Sequence, residues 1–461
     1  WVQVRACARG FEAGGFRPAR DAWRRFVQQA GSKGHCTRFR IHIGAAARGL
    51  RGRSFAAADD AVLVPAALWL PEPRSRPPRL SVEIEVARQG PIYLSVPFPE
   101  VGSVLRPRAT LWRRPARSVF TRRPPLRLDL GDVRLEVVRV GPEIAAGDAA
   151  MERWLFDAVR ATRTVFGRFP TRFAQVVVRV GPGRAPLFGM THRGGGDGIL
   201  LFVGRGCDRE ALARDWIAVH EMLHLGHPWM PAGDAWFFEG LATLYEPIAR
   251  VRAGLLGEAE AWQRIVAGLA RGARDGTGRV LREESAKMQE TGAYRRVYWA
   301  GAAILLEAEI EAWKAGLGGL APLIQTLPRC GRATAPVPFR RLPRCAAPEP
   351  LAQLLDRVAR RHLDVAAFPD LGPTLERLGV TVDARGRVRL NGHAPDASIR
   401  TMLMHGAATG PMPDGRSEAC PPVGRAVQDS VSIDRTSMDR GVTARPSSAK
   451  TTVNQNNREE S

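Results

Sequence analysis

The stretch VHEMLHLGHPWMPAGDAWFFEGLATLYEP, residues 219–247, constrains this chain more than any other. The chain has 9 histidines in 461 residues, yet His220, His224 and His227 fall together here. Residues four apart on a helix stand one above the other, so His220 and His224 share a face with Glu221 beside the first. Asp208 reads as the N-cap of this helix, and Gly226 with Pro228 reads as its stop, giving a helical pattern over 208–226. Trp216, Ile217, Met222 and Leu223 supply apolar side chains for its other faces. A short Pro/Gly loop then leads to a second helical pattern at 236–253. A loop that short makes the second helix fold back along the first.

His220, Glu221 and His224 spell HExxH. Two imidazoles on one helix face can bind one Zn²⁺, and the adjacent glutamate can take a proton from the attacking water. The bland alternative is an amphipathic helix with solvated His and Glu. A catalytic zinc takes three protein ligands and keeps one position open. His227 is the nearest candidate for the third, but it lies beside the helix stop. Glu239 fits better, because a return helix brings its first turn beside the first helix. The expected cofactor is therefore one Zn²⁺ held by His220, His224 and Glu239, with Glu221 as general base.

Upstream of about 145 the chain is β-rich. TRFRIHI (37–43), LSVEIEVA (80–87), IYLSVPF (92–98) and VRLEVVRV (133–140) alternate apolar and polar residues, which suggests a β-sandwich. RDAWRRFVQQA (20–30) is the one helical-looking insert. From about 146 to 326 the pattern is α+β. DAAMERWLFDAVRATRTVFG (148–167) has helical spacing, FAQVVVRVG (173–181) and GILLFVG (198–204) read as buried strands, and long helical patterns follow at 258–272 and 297–317. Residues 327–349 are Pro/Arg-rich and read as a linker. Residues 350–404 read as a small, mainly helical region, with RVRLNG (387–392) as a closing strand. Residues 405–461 lose the apolar period and read as a disordered tail.

The net charge of +22 suggests nucleic acid at first sight, but it comes from arginines spread along the whole chain, with only four lysines. No dense basic run with interleaved aromatics appears, so no specific nucleic-acid partner is expected. No apolar run reaches the length of a membrane span. The six cysteines show no CxxC pair, which argues against a cysteine zinc module and a disulfide scaffold. The chain begins at Trp1 rather than Met, which leaves secreted, periplasmic and cytoplasmic addresses open. Oligomeric state is not legible.

HExxH followed by Trp-x-x-Glu-Gly, here Trp236–Gly240, resembles the signature of the gluzincin metallopeptidases. It is closest to the glycyl aminopeptidase group and more distantly similar to aminopeptidase N and leukotriene hydrolase. The spacing between His224 and Glu239 is shorter than in aminopeptidase N relatives. The resemblance covers roughly residues 150–320 and implies a thermolysin-like, mainly helical catalytic domain after the β-sandwich, with a peptide or protein substrate. It also implies roles for further residues. Glu246 takes the place of an acidic residue behind the zinc ligands, accepting a hydrogen bond from one imidazole. Tyr298, in RRVYWAGAAILL with Gly301 packed beneath it, takes the place of the oxyanion donor. Gly189, Met190 and Thr191, in LFGMTH, fall where relatives carry a substrate-binding strand. There a glutamate binds the free α-amino group of the substrate; here the position is Thr191. A hydroxyl cannot act as counter-ion to an ammonium, so the resemblance implies altered or lost exopeptidase activity, with Asp197 as an alternative source of charge.

Overall fold

The structure is a computed structural model. It describes residues 2–9, 16–17, 27–33, 36–47, 55–58, 60–70, 72–73, 81–87, 92–98, 100–101, 104–112, 114, 116–330 and 335–406. Residues 1–408 make up one compact unit. Of the expected tail, 405–461, His405 ends the helix Ala397–His405, and the residues from 407 on lie outside the described set.

Sheets occupy the N-terminal part and helices most of the remainder. The first sheet has six strands in the order Glu100–Val101, Val104–Leu105, Ser81–Ala87, Val2–Arg9, Cys36–Ile41, Val27–Lys33. The expected helical insert at 20–30 is not helical from Val27 onward: that segment pairs with Cys36–Ile41, and its earlier residues lie outside the described set. The second sheet includes Ala61–Pro65 and β1 (Arg117–Thr121). Its two faces serve two cores, as alternation along a strand requires. Val64 and Phe120 join Val4, Phe39 and Ile84 of the first sheet in one apolar cluster. Leu63 and Val119 face the other way, onto Val138, Val177 and Leu200 of a third sheet.

That third sheet carries the site. Its strands are β2 (Leu126–Asp129), β3 (Arg134–Val140), β4 (Phe173–Gly181), β5 (Pro186–His192) and β6 (Gly198–Gly204), in the order β2-β3-β4-β6-β5. The β3–β4 and β4–β6 pairs are parallel; β5 runs antiparallel along the free side of β6 and forms the edge. Between β3 and β4 the chain crosses over through α1 (Asp148–Phe166), whose Met151, Leu155, Ala158, Val159 and Phe166 are buried at helical spacing. Gly167 ends α1 at φ +74°, a conformation that glycine adopts without steric cost.

The helical pattern at 208–226 is two helices. Asp208 caps the short first one, Arg209–Arg214, accepting from the Ala211 N–H at 2.8 Å. The second, α2 (Ile217–His224), has its own cap in Asp215, which accepts the N–H groups of Ile217 and Ala218 at 3.0 Å each and the indole N–H of Trp154 at 3.0 Å. The helices α3 (Ala235–Arg252) and α4 (Tyr294–Lys314) pack through Gly240 and Gly301. A Cβ at Gly301 would stand 1.7 Å from the carbonyl oxygen of Trp236, so the two backbones meet closer than any other residue permits.

Residues 327–330 and 335–349, expected as linker, carry two 3-10 turns and the helix Leu342–Ala346, with Phe339 and Leu342 buried in the main core. Cys330–Cys345 closes this segment, and Cys7–Cys36 joins two neighbouring strands. Four cysteines thus form two local clips, while Cys207 is free and buried. The closing strand is Val388–Leu390, paired with Val380–Val382. No helix among the described residues is long and apolar enough to cross a membrane.

Candidate metal centre

His220, His224 and Glu239 converge. The two imidazole Nε2 atoms are 3.2 Å apart; Glu239 Oε2 lies 3.2 Å from the Nε2 of His224 and 3.5 Å from that of His220. Among the described residues this is the group of three His, Cys, Asp or Glu side chains able to hold a metal ion. Atoms each bound at about 2.0–2.1 Å to one tetrahedral ion stand roughly 3.3–3.4 Å apart. The observed edges, 3.2, 3.2 and 3.5 Å, bracket that value.

The proton inventory points the same way. Pro228 offers only a carbonyl, so the His227 Nδ1 2.7 Å away must donate to it. Its Nε2 is then an acceptor, taking the Nδ1–H of His224 at 3.0 Å. That leaves His224 Nε2 as a bare lone pair aimed into the triangle, where Glu239 Oε2 also makes no hydrogen bond. Converging lone pairs without a proton repel unless a cation sits among them.

The charges of these three groups act strongly on one another. Burial works against the charge on Glu239, but the imidazoles of His224 and His220 outweigh it and hold the carboxyl well below its usual range. Burial lowers His224 too, and Glu239 more than reverses that. Burial and the nearby charge of Arg193 drive His227 well below the usual imidazole range, so it is the neutral relay the hydrogen bonds require.

The residues around the triangle answer the sequence reading one by one. Tyr298 stacks on His220 with ring centroids 6.1 Å apart and planes 16° from parallel. Burial, then the negative charge of Glu239, raises its phenol far above the ordinary value, so it remains a donor. Gly301, one turn on, is what lets α4 approach α3 this closely. Glu246 is buried, but the expected hydrogen bond to a ligand imidazole is not made: Arg250 Nη1 takes its Oε1 at 3.2 Å, and His220 Nδ1 has no partner. The cause is spacing, since Arg250 stands four residues further along the same helix and reaches the carboxylate first. Burial nevertheless pushes Glu246 up to about 7 against the pull of Arg250.

Thr191 does not face an empty subsite. Its hydroxyl lies 2.7 Å from the carbonyl oxygen of Glu221 and 2.9 Å from Glu221 Oε2. Gly189 explains the approach: a Cβ there would stand 2.4 Å from Glu221 Cγ and 2.6 Å from Ile217 Cγ2. Met190 Sδ contacts Arg117 Nη2 at 3.1 Å. Asp197 points elsewhere, engaged by Thr171 at 2.9 Å and Arg108 at 3.2 Å. The triangle, Glu221, Tyr298 and β5 line a cleft of about 990 Å³.

Sequence reading passed over two residues here. His227 was weighed as a ligand and instead stands behind one. Asp215 carried a usable signal, an Asp just before an apolar run, but Asp208 fitted the same rule first.

No family model matches this chain, and no curated protein does. Solved structures do. An aminopeptidase N family protein from Idiomarina loihiensis is similar at 13% identity, over 82% of this chain and 74% of that one, with TM-score 0.55. An M1 zinc metallopeptidase from Deinococcus radiodurans is similar at 14% identity, over 80% and 87%, with TM-score 0.44. Yeast LTA4 hydrolase is similar at 12% identity, over 82% and 64%, with TM-score 0.42. At these identities the likeness concerns fold alone, and it rests on the first.

Proposed function

We propose that this chain is a zinc-dependent peptidase of gluzincin type, with residues 146–326 as its thermolysin-like catalytic domain. The observation that carries the reading is the triangle of three converging donor atoms close to tetrahedral spacing, beside a glutamate and a phenol that are not part of it.

Bound Zn²⁺ supplies a Lewis acid that polarises a substrate carbonyl and acidifies a neighbouring water. Glu221 takes that water's proton and hands it to the leaving nitrogen. Thr191, hydrogen-bonded to both the backbone and the carboxylate of Glu221, fixes the base in one rotamer. Tyr298 donates to the oxygen on which negative charge grows, where a preoriented donor acts most strongly. His227 holds His224 in the tautomer that presents Nε2. The edge strand β5 offers its free backbone groups to an extended peptide.

The replacement of the amine-binding glutamate by Thr191 supports a second reading, a zinc protein of this fold with lost peptidase activity. Metal analysis and digestion of a diverse peptide library separate the two. One zinc per chain is expected, with cleavage that Glu221→Gln lowers by ~10²–10⁴-fold while retaining the metal. A zinc-loaded protein inert towards the whole library overturns the peptidase reading.

A further inference from the structure

The wall of the cleft opposite α3 and α4 is cationic. It is built by Arg114, by Arg117 at the start of β1, and by Arg193 just beyond β5. Arginine is abundant in this chain, so its presence alone means little. What distinguishes Arg114 and Arg193 is the missing counter-ion. Elsewhere buried arginines meet a carboxylate: Arg250 meets Glu246 at 3.2 Å, Arg296 meets Glu284 at 3.1 Å and Arg400 meets Glu258 at 3.0 Å. Arg114 and Arg193 make no ion pair among the described residues. Arg114 lies over the Trp229 ring, 3.4 Å from its centroid, with its Nε buried and without a hydrogen bond. Arg193 Nη2 is likewise buried without one. Asp197 is the acid whose charge acts on Arg193, and Arg108 and Thr171 already hold it.

The cleft's own acids do not compensate them. Its lining holds two carboxylates, Glu221 and Glu239, and both serve the metal position. A divalent ion there neutralises the pair and leaves the guanidiniums facing the cleft. A desolvated guanidinium without a partner is costly and becomes favourable when a carboxylate completes its hydrogen bonds. Burial lowers all three arginines, Arg114 to about 9 with further help from Arg193, and Arg117 and Arg193 to about 10 each. At neutral pH they stay charged. A substrate ammonium is repelled from this wall, in keeping with the absence of an acid at position 191.

We propose that Arg114 and Arg193, backed by Arg117 behind Met190, form a carboxylate-binding subsite, so that the preferred substrates are peptides with an anionic group near the scissile bond and no requirement for a free N-terminus. The inference rests on the peptidase reading for its substrate class, and its test does not need turnover. The carboxylate comes from an acidic side chain, which makes the enzyme an endopeptidase, or from the C-terminus, which makes it a trimmer of C-terminal ends.

The experiment uses the zinc-loaded full chain carrying Glu221→Gln and three N-acetylated hexapeptides. One has a central Glu and an amidated C-terminus, one a neutral sequence with a free C-terminal carboxylate, and one a neutral, amidated sequence. Calorimetric binding is expected to favour one of the first two by about tenfold over the third. Adding Arg114→Gln and Arg193→Gln is expected to shrink that preference to within twofold. Equal binding of all three peptides, already in the arginine-intact protein, overturns the subsite, as does a preference that survives both substitutions. Wild type that cleaves the neutral, amidated peptide as readily as the two that carry a carboxylate removes the subsite and leaves the peptidase standing. A binding preference without any cleavage by wild type does the reverse.

Discussion

The two walls of the cleft are made by different means. The helical wall, α2, α3 and α4, sets its groups by spacing along helices and by glycine contacts between them. Gly240 adjoins Glu239, and Gly301 follows Tyr298 by one turn, so the closest backbone approach in that wall lies directly beneath the site. The β wall, formed by Arg114, β1, β5 and Arg193, sets its groups by strand alternation and by how near an edge strand comes to a helix. Arg117 shares a face of β1 with Val119, which packs on the third sheet, and so reaches Met190. Thr191 reaches Glu221 because Gly189 lets β5 lie against α2. The first wall carries the triangle of His220, His224 and Glu239; the second contacts Glu221 through Thr191 and lines the rest of the cleft. Damage to one is therefore expected to read out differently from damage to the other.

The largest effect comes from the paired glycines. Gly301→Ala forces a Cβ against the Trp236 carbonyl and is expected to cost about 3 kcal/mol of stability, read as a lower denaturation midpoint with unchanged slope. Gly189→Ala instead strikes Glu221, and it is expected to lower turnover more than stability. If both variants lose only stability, the division between walls fails.

His227→Phe keeps a ring against Phe238 but removes the acceptor for His224 Nδ1. Zinc affinity is expected to fall ~10–100-fold in competition with a chelator. Unchanged affinity would mean that the relay is packing alone. On the other wall, Thr191→Val is isosteric and removes the hydroxyl. It is expected to lower kcat roughly fivefold at constant zinc content, with recovery in Thr191→Ser. Loss of zinc instead of rate would place Thr191 with the metal-holding wall.

The smallest effect is a pH slope in the metal-free protein. The folded value of Glu246, about 7, lies above its ordinary value of 4.5. Its contribution to stability is therefore fully present below about 4.5 and is lost as pH rises through 7. Glu246→Gln is expected to flatten the fall in melting temperature across that window. An identical slope in both proteins would assign the titration to another group.

The metal triangle was legible because its information is local. HExxH fixes two ligands by helix geometry, and a short loop returns the third. The buried strands 173–181 and 198–204, the helix at 148–167 and the helical return at 236–253 were legible for the same reason. The helical expectation for 20–30 failed at 27–30, where strand pairing overrides local pattern in a segment of mixed polarity. The position of Thr191 in the sequence carried only a negative expectation, that no ammonium counter-ion stands there. Its actual partner could not be read, because thirty residues and a change from strand to helix separate it from Glu221.

Sequence by itself determined that His220, His224 and Glu239 come together beside Glu221, and the two-part order of sheets before helices, since each follows from periodicity over a few turns. Tertiary structure alone decided that His227 holds His224, that Arg250 and not an imidazole takes Glu246, and that Arg114 and Arg193 face the cleft without a carboxylate. Those outcomes depend on which side chain arrives first at a buried polar atom. That is a competition in three dimensions, and spacing along the chain does not encode it.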